Sequence, residues 1–133
     1  MDSKKNKFIS HWVEASEDNA GSMENLFNAG EYVWALFVGH LAVEKLLKAI
    51  YAAGGETEIP RSHDLLKLAV KCGLSPTESQ RETLAMITLF NIEARYNDFK
   101  REFRKKCTRD FAMEALEKIR EIRRWLAEIA AKS

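Results

Sequence analysis

"EYVWALFVGHLAVEKLLKAIYAA", residues 31–53, carries Val33, Trp34, Phe37, Val38, Leu41, Leu46, Leu47 and Ile50 at spacings that cover more than half of a helix circumference. A helix apolar on so many sides has to be central, with neighbours packed around it. Gly54-Gly55 ends it. Glu44 and Lys48 stand one turn apart on it, the spacing of an intrahelical ion pair, and with Lys45 they share a narrow polar strip that faces either solvent or a partner.

Outward from this element the chain keeps helical spacing. On the N-terminal side, Phe8, Trp12, Ala15, Met23, Leu26 and Phe27 form the stripe of a first helix running from near Ser3 to Gly30. On the C-terminal side, Ser62 is placed to cap a short third helix bearing Leu65, Leu66, Leu68 and Ala69, closed by Gly73. Ser75-Pro76 reads as the start of a fourth helix, with Leu84, Met86, Ile87, Leu89, Phe90 and Ile92. Thr108 is placed to cap a last one, with Phe111, Ala115, Ile119, Ile122, Leu126 and Ile129. The fold class expected is therefore all-α, an up-and-down antiparallel helical bundle of four long helices plus a short one, forming a single domain over residues 1–133.

A 46% hydrophobic content is enough to fill one core without disulfides or metals. Cys72 and Cys107 form neither a Cys-x-x-Cys pair nor a zinc framework and read as reduced structural thiols. The most apolar stretch, Tyr32 to Tyr51, is interrupted by His40, Glu44, Lys45 and Lys48, so no membrane association and a cytoplasmic location are expected. None of His11, His40 or His63 follows a glutamate at Glu-x-x-His spacing, so no metal site or cofactor is expected. "KLAVKCGLSPTESQRETLAM", residues 67–86, has the outline of a helix-turn-helix. Its second helix would bring Glu78 and Glu82 against a single Arg81, however, and specific DNA binding is not expected of such a face.

Net charge is +1, so any surface for a polyanion has to be local. One segment supplies it. From Asn91 to Arg109 there are seven basic residues (Arg95, Lys100, Arg101, Arg104, Lys105, Lys106, Arg109) against three acidic ones (Glu93, Asp98, Glu102). If helix runs through it, Arg101, Arg104 and Lys105 share a face and Arg95 and Asp98 lie one turn apart, with Tyr96 offering a ring and a hydroxyl. Upstream, His63 and Asp64 sit in the first turn of the third helix, as a base with a tuning carboxylate or as part of a helix cap.

"GHLAVEKLLKAI" (39–50), "RSHDLLKLA" (61–69) and "IEARYND" (92–98), in this order, resemble the HEPN domain family (higher eukaryotes and prokaryotes nucleotide-binding), over about Trp12 to Leu126. The resemblance implies a homodimeric bundle, often encoded beside a small nucleotidyltransferase with which it forms a toxin–antitoxin pair. It also implies that many relatives are metal-independent ribonucleases, whose signature is an Arg followed four to six residues later by His. Arg95 matches the Arg, but "YNDFKREF", residues 96–103, holds no histidine. "ARYND" looks like the branch that lacks the full ribonuclease motif. The function expected is thus a nucleotide- or RNA-binding, dimerising module that acts with a nucleotidyltransferase partner. Arg95, Tyr96 and Asp98 would be its centre, His63 and Asp64 a second wall, and Arg101, Arg104 and Lys105 a rim. The alternatives are a ribonuclease toxin using His63 with Arg95, and a purely structural oligomerisation module.

Overall fold

The computed structural model describes residues 3–55 and 58–132; of Ser3, Lys5, Asn97 and Asp98 it describes the backbone. Among these residues it is all-helical, with α1 (Ser3–Asn28), α2 (Tyr32–Ala53), α3 (Leu65–Lys71), α4 (Glu78–Arg95), α5 (Asn97–Lys106) and α6 (Arg109–Ala131). The expected bundle is present, with one element more than expected: the basic segment forms a helix of its own. No described helix is long and apolar enough to cross a membrane.

The central helix is α2, which packs against α1, α3, α4 and α6. Leu36, Val43, Leu46 and Leu47 are fully or almost fully buried on it, and Leu84, Ile87, Leu116, Ile119 and Leu126 close around them from α4 and α6. The turn from α1 into α2 uses Gly30 at φ +81°, where the Glu31 N–H donates back to the Leu26 carbonyl at 2.9 Å. This left-handed position closes the free carbonyls of α1 and reverses the chain in three residues. α1 then lies antiparallel on α2, pinned by the Ser16 hydroxyl donating to the Ala42 carbonyl at 2.6 Å and by Lys45 Nζ donating to Asn19 Oδ1 at 2.6 Å. Arg120 of α6 grips Glu24 of α1 with two donors, its Nε at 2.9 Å. The three helices converge at Gly39, where a Cβ would stand 2.7 Å from Ile119 Cδ1 and 2.9 Å from Met23 Sδ. A side chain there would push the ends of Ile119 and Met23 aside.

Two helix starts differ from the sequence expectation. Asp64, not Ser62, caps α3, accepting from the Lys67 N–H at 3.1 Å, while the Ser62 hydroxyl accepts from the Asp64 N–H at 3.2 Å. Thr77, not Ser75, caps α4, in a reciprocal box with Gln80 whose two bonds are 3.1 and 2.9 Å. In both cases the residue nearer the first helical amide took the role, because a cap has to reach the N–H two or three residues on. Thr108 caps α6 as expected.

Both thiols are protonated groups here. Burial pushes Cys72 and Cys107 up to about 11, and the Cys72 Sγ donates to the Leu47 carbonyl at 3.3 Å. They are structural.

Candidate functional site

The basic segment comes first. Tyr96 leaves the helical backbone, at φ −99° and ψ 128°, so α4 stops at Arg95 and α5 begins at Asn97. Helical spacing therefore does not pair Arg95 with Asp98, and the side chain of Asp98 lies outside the described residues. The break turns two aromatic rings outward: Tyr96 is 60% and Phe99 55% exposed. Arg95, Arg101 and Arg104 are exposed, and among the described residues no hydrogen bond or ion pair engages them. Lys105 meets Glu102 at 3.6 Å, both in solvent, a pair of little strength. The other cations lean on rings: Lys100 Nζ stands 4.5 Å from the Trp34 ring centre, Lys106 5.3 Å from Phe111, and the Arg109 guanidinium 5.7 Å from Phe27. Lys100 thereby ties α5 to the beginning of α2.

The second part is built by α2 around His63. Glu44 is buried, with one carboxylate oxygen 2.7 Å from His63 Nδ1 and the other accepting from Lys48 Nζ at 2.9 Å. One turn earlier on the same helix, His40 is wholly buried, and its Nε2 lies 3.0 Å from the His63 carbonyl oxygen. A carbonyl only accepts, so His40 Nε2 carries the proton. Among the described residues its buried Nδ1 has no hydrogen-bond partner. Residue 63 is thus held twice by α2, through its backbone by His40 and through its ring by Glu44. The chain just after it is tied to α4, where the Leu65 N–H donates to Thr88 Oγ1 at 3.1 Å. The His63 side chain is still 51% exposed, so its ring has a buried end at Glu44 and an open end toward solvent.

Burial pushes the Glu44 carboxyl up, but the hydrogen bonds from His63 and Lys48 and the Lys48 charge outweigh it, and the group ends below the ordinary carboxylate value of 4.5. Burial likewise holds His40 below the ordinary 6.5, in its neutral form. The two depressions act in the same direction on stability. A group that takes up protons more readily when unfolded favours the fold above its unfolded value and loses that contribution as pH falls through the folded one. His40 thus costs stability below pH 6.5 and Glu44 below pH 4.5. Urea melts between pH 7.5 and 5 are expected to show a fall that His40→Gln, which keeps an N–H donor, largely removes; an equal fall in the variant would contradict the assignment.

Sequence reasoning found His63, Asp64, Arg95 and Tyr96 but did not connect them through α2. Asp64 is engaged as a helix cap. Glu44 and Lys48 do form the expected ion pair, yet the strip they share faces inward on His63 rather than outward. His40 was given no role. The signal was there: His40, Glu44 and Lys48 recur at four-residue steps on a largely apolar helix, and buried polar side chains require partners.

The HEPN domain family model matches residues 9–129. The chain belongs to the HEPN domain family. Among solved structures, the crystal structure of TT1696 from Thermus thermophilus is similar, with a TM-score of 0.77 and 25% sequence identity over 91% of this chain and 97% of that one. No curated protein matches this HEPN chain.

Proposed function

We propose that this HEPN protein is a nucleotide- or RNA-binding module that self-associates and acts beside a small nucleotidyltransferase. The observation that carries the reading is the break at Tyr96, which sets two exposed rings among three arginines that the described fold leaves unpaired. Exposed rings stack on bases and guanidinium groups meet phosphates, so the combination suits single-stranded nucleic acid. Self-association is supported by Leu89 and Ile92, three residues apart on α4 and 51% and 39% exposed, apolar surface that the described residues leave uncovered. The nucleotidyltransferase and a toxin–antitoxin role rest on family resemblance.

Binding of a labelled single-stranded RNA, followed by fluorescence anisotropy, tests this. Tyr96→Ala is expected to cost about 1–3 kcal/mol of affinity, the usual worth of one stacked base. Arg95→Ala is expected to reduce the slope of log affinity against log salt by about 0.7. Neither should shift the melting temperature by more than a few degrees, since both side chains are exposed. Unaltered binding in both variants, or no binding by the native protein, would remove the reading in favour of a structural oligomerisation module.

A further inference from the structure

The imidazole of His63 has one end fixed. Its Nδ1 meets Glu44 at 2.7 Å, and Glu44 is an ionised acceptor whose other oxygen is occupied by Lys48. A carboxylate cannot donate, so the Nδ1 atom carries a proton. In the neutral ring the lone pair then belongs to Nε2, the atom at the open end. A buried carboxylate, a buried histidine and a lysine therefore act together on one half-exposed ring, and what they determine is which nitrogen faces outward and in which chemical form. A helix cap alone would not need this, because Asp64 and Ser62 already satisfy the start of α3.

The loop that carries His63 and the basic segment are both fastened to the same stretch of α2. Lys100 of α5 sits over Trp34, and His63 is bound to His40 and Glu44, so both attach to α2 at positions 34 to 44, separated by about 9–15 Å of helix rise. The α3–α4 connection agrees: Leu65 is tied to Thr88, so the loop leading into α3 approaches α4 along its C-terminal half, the half that ends at Arg95. Along the helix axis that offset between the two anchor points equals about three or four steps of a nucleic-acid strand at about 3.4 Å each.

We propose that His63, anchored through its backbone by His40 and held in its Nδ1–H form by Glu44, is a specificity-determining residue that accepts a hydrogen bond from a ribose hydroxyl through Nε2, and so selects RNA over DNA. Arg95, Tyr96 and the α5 arginines contact phosphates and base faces, which the two nucleic acids share. The 2′-hydroxyl is the donor they do not share. His63 is the binding residue, and Glu44, His40 and Lys48 are positioning residues that act through it. The proposal rests on the nucleic-acid reading given above.

The test compares a single-stranded oligoribonucleotide with the deoxyribonucleotide of the same sequence on full-length protein, in chelator to suppress metal nucleases. The native protein is expected to prefer RNA by about three- to tenfold, the worth of one hydrogen bond. His63→Asn keeps a donor for Glu44 where Nδ1 stands but has no atom at Nε2, so the loop should stay in place. In this variant the ratio is expected to fall to about one, with DNA affinity unchanged. A parallel ¹⁵N spectrum of the imidazoles is expected to show His63 protonated at Nδ1 and its Nε2 resonance moved by RNA but not by DNA. Equal affinities in the native protein, a preference that survives His63→Asn, or a ring protonated at Nε2 alone would each overturn the proposal while leaving nucleic-acid binding intact. Binding of neither oligonucleotide would overturn the underlying reading and the proposal with it.

Discussion

Replacing Phe103 by alanine is expected to cost about 3–5 kcal/mol of stability, the range for an aromatic ring removed from a core. The reason lies in how α5 is held. It is ten residues long, too short to persist alone in water, and six of its last seven residues are charged. Phe103 is 2% exposed, while Arg101, Glu102, Arg104, Lys105 and Lys106 point to solvent. Its ring lies 5.6 Å from that of Phe90 in α4 and 6.2 Å from that of Phe111 in α6, so one side chain fastens the basic helix to two neighbours. Lys100 over Trp34 adds a weaker tie. Alanine at 103 should therefore both lower the melting temperature and speed amide exchange through residues 99–106 more than through α2, while RNA affinity falls because the arginines are no longer held in one arrangement. Phe103→Leu should retain most of the stability. A loss under about 1 kcal/mol in the alanine variant would show that α5 is held by something else.

The same helix shows where reading the sequence alone reaches its limit. Periodicity identified α2 as central and α6 as a regular amphipathic helix, because burial against several neighbours leaves a pattern in the chain. It did not reveal the break at Tyr96. No proline or glycine stands between Ala94 and Phe99, and the one local signal, Asn97-Asp98, is too weak to place a boundary in a helical pattern. Nor could it separate core from surface. Phe8, Leu89 and Ile92 lie on apolar stripes, but the structure leaves them 48%, 51% and 39% exposed, since spacing records only that a face is apolar and not what covers it. The site was legible in pieces. Glu44 and His63 are nineteen residues apart, and their contact depends on a loop returning to the face of α2.

Replacing Glu44 by alanine is the second large effect, expected at about 2–4 kcal/mol. Deleting one partner of a buried ion pair leaves the others with nothing to satisfy them, and that, more than the attraction lost, is what destabilises. Here the cost is tempered, because the Lys48 and His63 side chains are 14% and 51% exposed and can turn toward water. The double variant Glu44→Leu with Lys48→Leu removes both charges and fills the space with apolar volume, so most of the lost stability should return. Function should not return with it. With no acceptor at position 44, nothing fixes the proton of His63 on Nδ1, the ring is free to turn, and the preference for RNA over DNA is expected to disappear in a protein nearly as stable as the native one. Melts and paired binding curves on the two variants decide the matter. If the double variant is stable and still prefers RNA, Glu44 serves the fold alone; if it is stable and binds both equally, the buried carboxylate is there for the histidine it holds.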